Sequence, residues 1–143
     1  MQHDQVTEFE ASLIGRSCVI GRREHDWAFD LGGGVALAVS APWRIVSNGR
    51  IAFASEDDGH GFGLKARVDG EAEALKLIGD KAITAATVDR ETADLMIHFD
   101  AAIRIDVFNN SMGYEGWQAN YTIHGKSWSL IAMGGGEVAL IAE

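Results

Sequence analysis

The chain has 143 residues, a formal net charge of −9, and 23% charged against 47% hydrophobic residues. This length is typical of a single domain, and a domain of this size buries about 70% of the surface that its unfolded chain exposes. We therefore expect one domain spanning residues 1–143. Because an acidic chain lacks the concentrated cationic surface that a phosphate backbone requires, nucleic acid is not an expected partner.

Nothing in the sequence indicates export or insertion into a membrane. The first twenty residues carry Asp4, Glu8 and Glu10 instead of a basic start followed by an apolar run. No segment approaches the roughly 18 uninterrupted apolar residues of a membrane span. The single cysteine, Cys18, cannot form an internal disulfide, and its apolar neighbours are typical of a buried, inert thiol. We expect a cytoplasmic protein that binds no membrane.

The first half of the chain predicts a short helix followed by strands. The helix is predicted to run from Thr7 to Leu13, before Gly15, and Asn48-Gly49 predicts a tight turn inside a hairpin. The strands are predicted from short β-prone runs, at 18–20, 27–31, 35–39, 43–46 and 50–53. An acidic, glycine-rich loop follows at residues 55–63.

The second half predicts the same order. Asp69 is a suitable N-cap for a helix that ends at Gly79, and Val68, Leu75 and Ile78 are predicted to share its apolar face. A strand at 82–84 precedes a hairpin in which apolar and polar residues strictly alternate. The predicted strands from the hairpin onward lie at 95–99, 103–107, 117–123, 128–133 and 138–142.

The two halves resemble one another. Leu13-Ile14-Gly15 recurs as Leu77-Ile78-Gly79, and each copy is followed by a strand and a hairpin. We therefore predict an internal duplication, with halves at approximately 5–65 and 69–143. The expected fold class is α+β, mostly antiparallel, with about ten strands and two short helices in one bent sheet or two packed sheets.

Several motifs resemble an uncharacterised family of small bacterial domains of unknown function. They are Pro42-Trp43-Arg44, Leu77-Ile78-Gly79, Asp94-Leu95-x-Ile97-x-Phe99, Tyr114-Glu115-x-Trp117 and the late run Gly134-Gly135-Gly136. The chain departs from that pattern at Met133, where a proline is expected. The resemblance implies no particular activity. Some such domains are encoded beside bacterial toxins, which implies an immunity role only by association.

Two segments hold the candidate binding residues. In the acidic loop, Asp58 and His60 have the chemistry of metal ligands, but the spacing fits neither an EF-hand loop nor a zinc site, so no metal site is predicted. A solvated turn is the favoured interpretation, and an ordered binding loop is the alternative. In the second segment, Glu115 stands between Tyr114 and Trp117. It is either a buried acid with a shifted pKa or the partner of an arginine.

Trp43 and Arg44 complete the set of candidate binding residues. The favoured interpretation is that the aromatic side chains Tyr114 and Trp117 fill the core. Because Trp43 and Trp117 each follow a predicted hairpin, the alternative is an aromatic-lined groove between the halves. Arg44 is one example of an arginine that would pair with Glu115, if that glutamate does not serve as a cap instead.

Catalytic and cofactor motifs are lacking. The glycine runs 32–34 and 134–136 have strands on both sides, which indicates turns and not phosphate-binding loops. Neither Cys18 nor any serine lies in a nucleophile motif. No catalytic residue and no cofactor are predicted.

The leading hypothesis is a non-catalytic domain that binds a protein with a basic surface, and its specific version is neutralisation of that partner, as by an immunity protein. The alternative is a small-molecule-binding protein or an enzyme with a cleft between the halves, using Glu115, His60, Asp58 or His98. A third hypothesis is a homodimer that covers an exposed strand edge.

Overall fold

The computed structural model describes residues 2–142, with side chains from residue 5 onward. In this part of the chain, eleven strands form two antiparallel sheets and two short helices accompany them, as the predicted fold class requires. The first half contains α1 (Gln2–Ser12), β1 (Val19–Arg22), β2 (Trp27–Asp30), β3 (Ala36–Val39), β4 (Trp43–Ser47) and β5 (Arg50–Ala54). The second half contains α2 (Gly70–Ile78), β6 (Ile83–Val88), β7 (Leu95–Phe99), β8 (Ile103–Val107), β9 (Trp117–Ile123), β10 (Lys126–Ala132) and β11 (Val138–Ala142).

Each sheet combines strands from both halves. The six-stranded sheet has the order β1-β2-β3-β9-β10-β11, and the five-stranded sheet has the order β5-β4-β8-β7-β6. The three strands after each helix, β1–β3 in the first half and β6–β8 in the second, form an antiparallel meander. The strands that follow each meander pair with the meander of the other half. The joints are the antiparallel pairs β3–β9 and β4–β8. This order is common to both halves, while an internal duplication stays a prediction.

The two sheets share one hydrophobic core. Alternation along β7 and β8 directs Leu95, Ile97 and Ile105 into it, and all three are fully buried. The two helices close the open sides of the sandwich. Helix α1 lies against β6, and Phe9 on that helix stacks on Trp117 with ring centroids 6.2 Å apart. Helix α2 lies against β1, β4 and β5.

The helices differ in detail from the sequence prediction. Helix α1 ends near the predicted residue but begins earlier, at Gln2. Helix α2 is capped by Asp69, whose side chain accepts a hydrogen bond from the Ala72 N–H. The prediction for Leu75 was wrong: this side chain is 65% exposed, because the core face of α2 is formed by Gly70, Ala74 and Ile78.

The predicted turns are present. Asn48 and Gly49 connect β4 to β5 with φ values of 52° and 80°, the left-handed conformation that a two-residue hairpin turn requires. The run Gly134–Gly136 forms the turn between β10 and β11, in which Gly135 and Gly136 have φ values of 88° and 107°.

Neither helix in residues 2–142 has the length and apolar character needed to cross a bilayer.

Candidate binding groove

One end of the sandwich carries a groove on both sides of the crossover Ser40–Pro42, which connects β3 to β4. A cavity of about 590 Å³ lies on one side, between this crossover and the loop of residues 110–116. A second cavity, of about 400 Å³, lies on the other side, against the β1–β2 loop and the start of the β5–α2 connection. We call these two cavities together the groove.

The groove forms where the two crossovers between the sheets meet. The backbone N–H groups of Ser40 and Ala41 both donate to the carbonyl oxygen of Gly116, at 3.0 and 2.9 Å. The N–H of Phe108 donates to the carbonyl of Pro42 at 2.9 Å. Pro42 has no N–H to offer, which suits a residue between two strands that belong to different sheets. The floor of the groove is therefore hydrogen-bonded backbone.

Carboxylates are the main charged groups of the groove. Five acidic side chains and two arginines line it: Glu24, Asp26, Glu56, Asp58, Glu115, Arg22 and Arg23. Both arginines form ion pairs with the groove aspartates, so their charges are locally compensated. In contrast, Glu56 and Glu115 are exposed, and within residues 2–142 neither forms an ion pair. The groove therefore presents excess negative charge to solvent.

Asp58 lies at the inner wall of the groove, where it links three elements. Its Oδ1 accepts a hydrogen bond from the N–H of Gly70 at 2.7 Å, and its Oδ2 accepts one from Arg22. Burial raises the pKa of Asp58, but the hydrogen bonds from Arg22 and Gly70 and the charge of Arg22 outweigh burial and leave the pKa below its ordinary value. This carboxylate supports the fold.

His60 lies outside the groove. Its ring is exposed and stacks on Phe62, with the ring centroids 5.5 Å apart. It lines neither cavity, so the structure does not bring His60 and Asp58 together as ligands.

Trp43 and Trp117 occupy corresponding positions beneath the groove. Each is the first residue of a crossing strand and pairs with the last residue of the other half's meander, Val107 for Trp43 and Val39 for Trp117. Both side chains are 1% exposed, so they fill the core and line no groove.

The two indole N–H groups differ in their surroundings. The Nε1 of Trp117 donates to the carbonyl of Ala93 at 2.7 Å. The Nε1 of Trp43 has no nitrogen or oxygen partner among the described residues, and the ring is met edge-on by Trp27 and Phe29.

Arg44 lies on the outer face of the five-stranded sheet, away from Glu115. Its Nε donates to Asp106 at 2.9 Å, and Arg104 donates to the other oxygen of the same carboxylate at 3.0 Å. The guanidinium also lies over the Phe108 ring, 5.0 Å from its centroid. The expected Arg44–Glu115 pair was therefore wrong, because strand β4 turns Arg44 toward its neighbour β8.

Tyr114 and Glu115 are on the surface of the loop that borders the larger cavity. Tyr114 is 82% exposed, and Met112 beside it is 95% exposed. Glu115 is exposed, and its carboxylate accepts no hydrogen bond from any described residue. It is therefore not the buried acid that one interpretation predicts. Exposed apolar side chains of this size are typical of interaction surfaces when they lie together.

The four proposed acid–base residues do not share a cavity. Glu115 lines the larger cavity and Asp58 the smaller one, whereas His60 and His98 line neither. Among residues 2–142, no three His, Cys, Asp or Glu side chains are placed to hold a metal ion. Cys18 is buried, and burial followed by the charge of Asp30 raises the pKa of its thiol to about 12, which suppresses the reactive thiolate.

Sequence reasoning did not identify Met112, the crossover Ser40–Pro42 or the β1–β2 loop. The signal for Met112 was present, since a methionine inside the turn-rich stretch Asn109–Gly113 has no strand or helix to bury it. No sequence signal could show that the crossover and the β1–β2 loop meet, because they are brought together by the exchange of strands.

Comparison with protein-family models, with curated proteins and with solved structures found no match to this chain. The resemblance to an uncharacterised family of bacterial domains therefore stays a prediction.

Proposed function

We propose that this protein is a non-catalytic binding domain that holds a partner protein with a basic surface at the groove. The proposal is carried by one observation: Glu56 and Glu115, exposed and without ion-pair partners among the described residues, line the same groove as the exposed ring of Tyr114. Met112, two residues before Tyr114 in the same loop, adds a second exposed apolar side chain next to the groove. Charge of one sign on a rim steers an oppositely charged partner and excludes wrong ones, while apolar groups inside the rim provide affinity.

The charge of the whole chain supports the same proposal. A net charge of −9 attracts a basic protein from a distance and repels nucleic acid and anionic membranes. Neutralisation of a toxic partner, as by an immunity protein, is the specific form of this function that the sequence resemblance suggests. In that form the groove would cover a basic surface on which the toxin's activity depends.

The alternative is a small-molecule binder that uses the cleft between the halves. The larger cavity lies between residues of both halves and has a volume common for ligand pockets. However, among the described residues its titratable groups are only Tyr114 and Glu115, and the remaining walls are backbone and small side chains, so these residues assemble no acid–base pair. The cavity is better suited to receive a side chain from a partner.

Charge reversal in the groove tests the proposal. Proteins captured by the immobilised domain are identified by mass spectrometry, the products of neighbouring genes are tested directly, and each purified candidate is titrated calorimetrically. We expect a basic partner whose affinity falls about tenfold or more in the double variant Glu56→Lys/Glu115→Lys and also falls as salt rises.

The matched control is the double variant Asp80→Lys/Asp100→Lys. It changes the net charge by the same amount, at exposed positions at the other end of the sandwich. Equal weakening by both variants would show that only net charge matters and would contradict a binding site at the groove. The absence of any basic partner would contradict the function itself.

A further inference from the structure

The loop between β8 and β9 combines a tightly held backbone with fully exposed side chains. At its start, the Nδ2 of Asn109 donates to the carbonyls of Thr92 and Met133, each at 2.9 Å. At its end, the N–H of Gly116 donates to the carbonyl of Ala132 at 3.1 Å. Both ends of the loop are therefore tied to other parts of the fold.

The middle of the loop is held as firmly. The Oγ of Ser111 accepts hydrogen bonds from the N–H groups of Gly113 and Tyr114, at 3.1 and 2.9 Å, and the carbonyl of Ser111 accepts one from Gly135 at 2.8 Å. Gly113 lies flush against Gly134, where a Cβ atom would overlap the Gly113 backbone. The hydrogen bonds and this close backbone contact together fix the loop against the turn that contains Gly134.

Met112 and Tyr114 contribute little to this arrangement through their side chains. Their exposed fractions of 95% and 82% leave almost all of their apolar surface in water. Because the backbone of the loop is already held in place, it loses little further conformational freedom when a partner binds, which lowers the entropic cost of binding. Tyrosine and methionine are also enriched at protein interfaces.

We propose that Met112 and Tyr114 form the apolar anchor of the interface with the basic partner, and that the adjacent cavity receives a lysine or arginine side chain of that partner against Glu115. This inference rests on the proposed function and names the contact on which it depends. The cavity of about 590 Å³ is large enough for such a side chain, and Tyr114 and Glu115 both lie on its wall. A cation beside an aromatic ring and a carboxylate is stabilised by both.

Charge complementarity identifies this occupant and disfavours the others. A second copy of this chain would bring its own net charge of −9 to an acidic groove, and an anionic membrane or nucleic acid would be repelled in the same way.

A phage-displayed library of random peptides, panned on the wild-type protein, tests the anchor without a known partner. We expect the enriched peptides to contain lysine or arginine beside an aliphatic or aromatic residue. A synthetic peptide of the enriched sequence should bind about tenfold more weakly, or weaker still, to Met112→Ser/Tyr114→Ser, since removal of interface anchors has effects of this size. Glu115→Gln should weaken binding and reduce its dependence on salt.

The double variant Phe62→Ser/Leu64→Ser is the matched control. It removes two apolar side chains, each 66% exposed, that belong to the later part of the β5–α2 connection and line neither cavity. This variant should bind the peptide as the wild type does. Thermal unfolding of Met112→Ser/Tyr114→Ser should match the wild type, which excludes loss of the fold as the cause.

The two proposals fail separately. Any of three results would overturn the anchor: no peptide is enriched, the enriched peptides lack basic residues, or the peptide binds Met112→Ser/Tyr114→Ser as it binds the wild type. Each would do so even if charge reversal at Glu56 and Glu115 abolished capture of a basic protein. Conversely, a basic peptide could be found to bind through Met112 and Tyr114 while no basic protein depends on Glu56 and Glu115. That result would support the anchor and contradict the proposed function.

Discussion

Asp58 joins the end of β1 to the start of α2 through a single carboxylate. Only 12% of its side chain is exposed, and one hydrogen bond comes from the charged Arg22. We expect Asp58→Asn to lower the free energy of unfolding at pH 7 by about 1 kcal/mol, because a charge-assisted hydrogen bond becomes a neutral one. Urea unfolding followed by circular dichroism would measure this loss.

The effect of Asp58→Asn should depend on pH. The pKa of Asp58 is lower in the folded protein, so its contribution is complete above the pKa of an unfolded aspartate, about 4, and is lost as pH falls through the folded pKa. The wild type and the variant should therefore converge in stability in acid. Asp100→Asn, at an exposed turn, is the control and should match the wild type at every pH. A constant difference down to the lowest pH would contradict this role for Asp58.

The loop of residues 109–116 and the turn Gly134–Gly136 form a contact that only glycine permits at Gly134. A Cβ atom there would overlap the backbone of Gly113, whereas a Cβ atom on Gly113 would meet nothing within 4 Å. We expect Gly134→Ala to destabilise the protein by about 1–3 kcal/mol, as overpacking does, and Gly113→Ala to change its stability by less than about 0.5 kcal/mol. Thermal unfolding of the pair would measure both.

This contact also carries the proposed anchor, so the same pair of variants reports on binding. Gly134→Ala should shift the loop and weaken binding of the enriched peptide, while Gly113→Ala should leave binding unchanged. Equal stability of the two variants would show that the turn yields easily and that the loop is not held as described.

Elements could be predicted from the sequence because each has a local cause. Alternation defined β7 and β8, Asn48-Gly49 defined the turn between β4 and β5, and Asp69 defined the start of α2.

The site could be predicted only in part. Alternation states which face of a strand is buried but not which strand lies beside it, so the pairing of Arg44 with Asp106 and the depth of Trp43 depended on contacts distant in sequence.

At the scale of the whole molecule, each half lacks the strands that complete its own sheet. Strands β4 and β5 from the first half join the sheet of β6–β8, and β9–β11 from the second half join the sheet of β1–β3. We therefore expect separate fragments 1–63 and 64–143 to be unfolded alone and to regain the native circular dichroism and NMR spectra when refolded together. The apolar faces of an isolated half have nothing to cover them.

A cleavage site inserted after Gly63, in an exposed part of the connection between the halves, provides the control. The folded protein cut there should keep its native spectrum, because the strand pairing holds the two pieces together. A dispersed NMR spectrum from fragment 1–63 alone would contradict the interdependence of the halves.

The exchange of strands also affects how the chain folds as it leaves the ribosome. Strand β3 needs β9, which begins at Trp117, so the inner edge of the first meander has no partner until most of the chain has been synthesised. Meanwhile β1 to β5 are present with their apolar faces uncovered, a state prone to aggregation. Native folding must therefore be largely post-translational, and the many pairings between distant segments should make it slow.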